Sequence, residues 1–217
     1  MTEPTLLVAV AALAGGAWGF VADRLAARWP AHDDGSIRRM DWRSGAVIAF
    51  GAGSLGLVTR EHAADPAGLV VLLVYVVPLI LLFATDLDQR LLPDVITLPL
   101  IPYAAAVGLL GINPLIEGGW PGMVGPLVAA IVVPMVAYLP SIPFGPGALG
   151  LGDVKLLVSM GLLLGFVREL SGLMGGAIVV VVVLGVLLAS RRITRRSYVP
   201  FGPFLMMAAV WAMLVPA

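Results

Sequence analysis

Cysteine is absent from the 217 residues, and charge is scarce: Lys, Arg, Asp and Glu make up only 12% of the chain. The missing thiol excludes a disulfide scaffold, a Cys-ligated zinc site and thiol catalysis. The missing charge excludes more. Soluble domains devote about a quarter of their residues to charge, so a chain at half that value has no ordinary water-facing surface. Disorder requires low hydrophobicity with high net charge. Nucleic-acid binding requires a basic field. A balance of 13 basic and 13 acidic residues supplies neither. His32 and His62 stand alone in connections expected on opposite sides of the molecule, so no metal site is expected.

What the chain does contain is apolar residues: 60% of the total, with a mean hydropathy of +1.02. They fall in continuous runs of helix length rather than in alternating strands of about ten residues, which excludes a transmembrane β-barrel. Eight segments stand out, at about 5–22, 44–59, 67–85, 95–112, 122–142, 154–167, 171–190 and 198–216. Most approach the roughly 20 residues needed to cross a bilayer; the second and sixth are short. The expectation is all-α: a polytopic transmembrane helical bundle of about eight helices, one domain over residues 1–217. The first segment has Glu3 and no basic residue before it, so it reads as a retained helix rather than a cleaved signal.

Basic residues set the orientation. With the N-terminus outside, the inner connections hold Arg24, Arg28, Arg38, Arg39 and Arg43, then Arg90, Lys155, and finally Arg191, Arg192, Arg195 and Arg196. Only Arg60 and Arg168 fall outside. The arginine group at 191–196 suits an anchor to anionic lipid. The polar stretch 23–43 is the one long connection and is too small for a separate domain. No internal repeat is visible. Glycines inside the helices, such as Gly51, Gly53 and Gly56, point to close helix packing.

Carboxylates at or within a membrane are costly and call for a reason. Glu3, Glu61, Asp65, Glu117 and Glu169 fall in outer connections and are expected to be solvated. Asp23, Asp33, Asp34 and Asp41 lie among arginines, where surface pairing is expected. Asp94 follows Pro93 at the start of a helix, a position suited to a cap. Asp88 lies in a turn, solvated or paired with Arg90. Asp86 ends the third segment and Asp153 opens the sixth, so the predicted topology brings both to the same depth at one face. Two such carboxylates can serve as general base on water and general acid toward a peptide carbonyl. On topology alone, two unrelated helix-end acids are the simpler reading.

Three motifs change that balance. Asp86 precedes Pro93-Asp94 and then Thr97-Leu98-Pro99-Leu100; Gly150, Gly152, Asp153 and Lys155 form G-x-G-D-x-K; and Pro200-Phe201-Gly202-Pro203-Phe204 follows near the C-terminus. Together, in this order, they resemble the prepilin peptidases (type IV leader peptidases), membrane aspartic proteases of the GxGD type. The resemblance covers about residues 67–217; within the first 66 residues only Gly15–Phe20 and the following Arg-Leu match the family's start. It implies catalytic roles for Asp86 and Asp153, with Asp88, Pro93, Asp94, Gly150, Gly152 and Lys155 as supporting motif positions. It further implies cleavage of a short basic leader from prepilin or pseudopilin precursors, after a Gly, at the cytoplasmic face of the inner membrane. Longer members carry a large insert after the first helix, often with CxxC pairs, and also methylate the new N-terminus. Here that insert shrinks to 23–43 without Cys. No cofactor is therefore expected, S-adenosylmethionine included, and no nucleic-acid partner.

The glycines before Asp153 are expected to permit a sharp turn and close approach of a substrate backbone. Pro143, Gly145, Pro146 and Gly147 extend that connection, as a simple turn or a gate. Lys155 is expected to bond a carbonyl or a lipid phosphate. The rival functional class is a proton- or ion-coupled transporter with Asp86 and Asp153 as a relay. The absence of related halves and the helix-end positions of the acids weigh against it. A membrane scaffold is the third class, and would need neither aspartate.

Overall fold

Within the described residues, the apolar runs fold as helix. A computed structural model describes residues 3–31, 35–116, 118–144, 149–189 and 201–215. The helices are α1 (Glu3–Ala26), α2 (Trp42–His62), α3 (Pro66–Gln89), α4 (Asp94–Leu109), the single turn α5 (Gly119–Gly122), α6 (Val124–Tyr138), α7 (Leu151–Ala189) and α8 (Gly202–Leu214), with a 3₁₀ stretch at Leu139–Phe144. No strand occurs among the described residues. Glu117, His32, Asp33, Asp34, Gly145, Pro146, Gly147, Pro200 and the arginines at 191–196 lie outside them.

Local chemistry sets the helix ends. Asp41 caps α2 by accepting from the Arg43 N–H at 2.9 Å, while its own N–H meets Ser44 Oγ in a capping box. Asp65 is exposed, as expected, and also caps α3 by accepting from the Gly68 N–H at 3.0 Å, with Pro66 beginning the helix. Asp94 is the first residue of α4, and no side-chain bond caps that helix. The expected cap role for Asp94 is therefore not what the structure contains.

The long helix α7 is two antiparallel arms. Gly165 sits at φ 73°, ψ 169°, a region open only to glycine, and reverses the chain there. Leu157 and Leu173, each eight residues from Gly165, line one cavity together with Phe204 and Ala208 of α8. A continuous helix would hold them about 24 Å apart. The sixth and seventh segments are thus separate helices, joined by one residue rather than by an outer loop at 168–170. As a result, Arg168 and Glu169 fall inside the returning arm. Arg168 donates to the Val215 carbonyl. Glu169 is fully buried, and neither of its carboxylate oxygens has a hydrogen-bond partner among the described residues. That corrects the expectation of a solvated acid, and burying such a group without a partner is costly.

Glycine governs the closest contacts, as expected at Gly51 and Gly56 but not at Gly53, where a Cβ would meet nothing within 4 Å. A Cβ on Gly51 would stand 2.3 Å from the Gly15 carbonyl oxygen, and one on Gly19 would stand 2.7 Å from the Val47 carbonyl oxygen. No side chain fits between α1 and α2 there. Gly51→Leu is expected to lower the thermal midpoint in detergent by the equivalent of about 3 kcal/mol or more, the scale of overpacking with backbone displacement; Gly53→Leu, at an open position, serves as the control.

The contacts sort the polar residues to two ends of the bundle. Asp23, Arg38 and Asp88 meet at one end, where Lys155 pairs with Asp94 and Gly202 meets Asp86. At the other end, His62 Nε2 lies 2.9 Å from the Met213 carbonyl oxygen, and Asn113 donates to the Leu163 carbonyl at 2.8 Å. Between the ends, Tyr75 of α3 and Ser159 of α7 share a buried 2.7 Å bond. Four described segments are long and apolar enough to cross a membrane: Thr5–Ala26, Pro66–Gln89, Gly119–Pro143 and Leu151–Val182, the last containing the Gly165 reversal. The molecule is an all-α membrane helical bundle.

Candidate active site

Asp86 occupies the last turn of α3 and Asp153 the first turn of α7. Although far apart in sequence, they approach closely enough to interact electrostatically. Asp86 is 5% exposed, and its Oδ2 has no hydrogen-bond partner among the described residues. Gly202, at the start of α8, stands directly against its carboxylate, where a Cβ would lie 2.7 Å from Cγ. Asp153 is flanked in the same manner by Gly150, where a Cβ would lie 3.2 Å from Oδ2, and its Oδ1 is buried with no hydrogen-bond partner among the described residues. Each acid therefore packs against a glycine and keeps one buried oxygen without a partner among those residues. Buried polar atoms are nearly always paired, so these two oxygens are open to a partner from outside the chain. A water or a peptide group between them would supply the missing partners.

The glycines also make room within the chain itself. Neither Gly150 nor Gly152 has a positive φ, so no left-handed backbone explains them. A Cβ on Gly152 would stand 2.7 Å from Leu92 Cβ, so this glycine lets α7 start directly against the α3–α4 connection. A Cβ on Gly150 would stand 3.2 Å from Asp153 Oδ2. Both glycines clear this chain's own atoms. Gly202 is the residue that sequence reasoning missed: its Cβ would stand 2.7 Å from Asp86 Cγ. The PFGPF motif that contains it was visible, but nothing in the sequence tied it to Asp86.

Lys155 Nζ donates to Asp94 Oδ1 at 2.6 Å, so the second motif is bonded to the first rather than to a carbonyl or a lipid. Pro93 is the residue before α4, in extended conformation. Asp88 is not solvated. Its side chain is 2% exposed, 2.6 Å from Arg38 Nε and 3.3 Å from Arg43 Nη1. Asp23 is also buried, bonded by Arg24, by Arg38 and by Ser44 Oγ at 2.8 Å, where only surface pairing was expected. Arg38 completes the group by meeting Asp41 at 2.8 Å. Burial alone would lower the Arg38 guanidinium, but Asp23, Asp88 and Asp41 hold it above its ordinary pKa. No cluster of three metal-binding side chains occurs among the described residues.

Comparison with known proteins gives a consistent picture. The sequence profile of the type IV leader peptidase family matches residues 73–190, more than half of the chain, including both Asp86 and Asp153. The chain is similar to a prepilin leader peptidase/N-methyltransferase of Aeromonas salmonicida (strain A449), with 33% identity over 150 residues, 63% of this chain and 46% of the relative. It is similar to proteins of the same name from Stutzerimonas stutzeri, 33% identical over 59% of this chain and 44% of the relative. The one from Xanthomonas campestris pv. campestris is 30% identical over 60% and 44%. The chain thus spans about half the length of the curated relatives it matches. No solved structure matches it.

Proposed function

The chain belongs to the type IV leader peptidase family, and on that premise we propose that it is an aspartic endopeptidase removing the leader of type IV prepilin-like precursors. The cut falls after a Gly, at the cytoplasmic face of the cell membrane. The observation that carries this reading is the pair Asp86 and Asp153, each packed against a glycine and each with a buried oxygen that has no partner among the described residues.

Hydrolysis needs one proton shared between the two acids. One carboxylate takes a proton from water as its oxygen bonds to the scissile carbonyl carbon. The other acid gives its proton to the amide nitrogen as the C–N bond breaks, and the products are a carboxylate and an amine. The bundle supports a face-restricted site. Most basic residues in the described connections share the end that holds both acids, and positive charge favours the cytoplasmic side. The transporter reading gains nothing from the family match.

Methyl transfer is not part of the proposed activity, although the relatives' names include it. In and beside the connection after α1, the charged side chains of Arg24, Arg38, Asp41 and Arg43 are engaged with one another and with Asp23 and Asp88, and no Cys is present. S-adenosylmethionine is therefore not proposed as a cofactor, and the substrate partner is the precursor's leader and apolar helix within the lipid.

Co-expression of the full chain with a prepilin-like precursor, in a host lacking its own leader peptidase, tests this reading. Mass spectrometry of the mature product should show a new N-terminus directly after the Gly, with a free, unmethylated amine. Purified enzyme should keep its activity after EDTA treatment, because two carboxylates carry the chemistry. An uncut precursor would overturn the peptidase reading, and a methylated product would overturn its restriction to proteolysis.

A further inference from the structure

Arg38 lies in the connection between α1 and α2, yet its guanidinium joins three helix ends. It meets Asp23 in the last turn of α1, the α2 cap Asp41, and Asp88 in the last turn of α3. The two terminal nitrogens hydrogen-bond Asp41 and Asp23, and Nε lies 2.6 Å from Asp88 as an ion pair without hydrogen-bond alignment, a three-way contact that a planar guanidinium can make and a single ammonium cannot. Its side chain is 11% exposed and that of Asp88 2%, so water and salt screen the contact poorly.

The position of Asp88 gives this junction a consequence. Residues two apart on an α-helix project about 200° from one another. Asp88 and Asp86 therefore leave nearly opposite faces of the same turn. One face is held by Arg38 and Arg43, while the other presents Asp86 to Gly202 and Asp153. Gln89 adds to the grip by donating to the Pro30 carbonyl at 2.7 Å. Upstream, α3 contains Pro78, which removes one rung of the hydrogen-bond ladder. The direction of the lower half of α3 is correspondingly less constrained by the upper half.

We propose that Arg38 is a positioning residue for Asp86: by clamping Asp88 it sets the rotation of the last turn of α3, and with it the approach of Asp86 to Asp153. This rests on the peptidase reading above. Arg38 touches no reacting atom and acts only through α3.

The test uses the full chain in detergent or membranes, with a prepilin-like precursor as substrate. Arg38→Lys keeps one charge but not the fork; Asp88→Asn keeps the shape but not the charge. Each is expected to lower kcat about tenfold, with KM within about twofold, because a misplaced acid slows chemistry rather than binding. The combined variant should be no slower than the worse single one, since both break the same contact. The cysteine-free chain also permits spin labels on cysteines introduced at Leu91 and Leu151, which are 48% and 64% exposed. Their distance distribution should broaden in both variants while the thermal midpoint stays close to that of wild type. If Arg38→Lys fails to fold, Asp88→Asn carries the test. An unchanged label distance, an additive loss in the combined variant, or a rise in KM alone would each overturn the proposal. Cleavage surviving in Asp86→Asn would instead overturn the peptidase reading. The label distances report on the clamp either way.

Discussion

Asp86→Asn and Asp153→Asn are each expected to lower leader cleavage by about 10³-fold or more, within the range lost when an acid–base group is removed. Asparagine preserves the size of the side chain and so fits the same space against Gly202 or Gly150. It cannot exchange a proton with water or with the leaving amine. Because the two acids act as one unit, the double variant should be about as slow as either single one. The thermal midpoint should hold or rise, since active-site groups are placed for chemistry at the expense of stability. Initial rates on a precursor, together with detergent unfolding curves, decide the matter. Full cleavage by either single variant would remove the dyad from the mechanism.

Gly202→Ala should produce the second-largest loss, from a residue with no side chain of its own. The added carbon would stand 2.7 Å from Asp86 Cγ and 2.8 Å from its Oδ2, so the carboxylate or the start of α8 must move. A displacement on the scale of 1 Å costs about 10²-fold when it separates catalytic groups. The loss should appear in kcat, with the helical content intact. Gly53→Ala, where a Cβ meets nothing within 4 Å, is the matched control and should be active. Equal activity of Gly202→Ala and wild type would mean that Asp86 tolerates displacement, which a shared-proton pair does not.

The bundle was legible because its signal is one-dimensional. An apolar run long enough to cross a bilayer forms helix wherever it sits, since the backbone has no other partner there. Errors arose where a single residue or a distant neighbour decides. Gly165 reverses the chain without any polar loop to announce it, which is why Arg168 and Glu169 were assigned to a connection and Glu169 to water. For Asp88 the sequence suggests solvent or Arg90, because Arg38 and Arg43, which it also meets, lie 50 and 45 residues away. Asp23 and Arg38 looked like ordinary members of a charged connection, and nothing in their order set them apart from Arg28 or Arg39.

By itself, then, the sequence determined the membrane bundle, the placement of Asp86 and Asp153 at helix ends of one depth, and the family. These follow from apolar run length, charge distribution and motif order, all of which are local. Only the tertiary structure decided what surrounds those acids: Gly202 clearing room for Asp86, Gly152 clearing Leu92, Lys155 bonded to Asp94, and Arg38 joining three helix ends. Each is a contact between residues that only packing brings together, and steric fit and ion pairing over a few ångströms leave no periodic trace in the order of the chain.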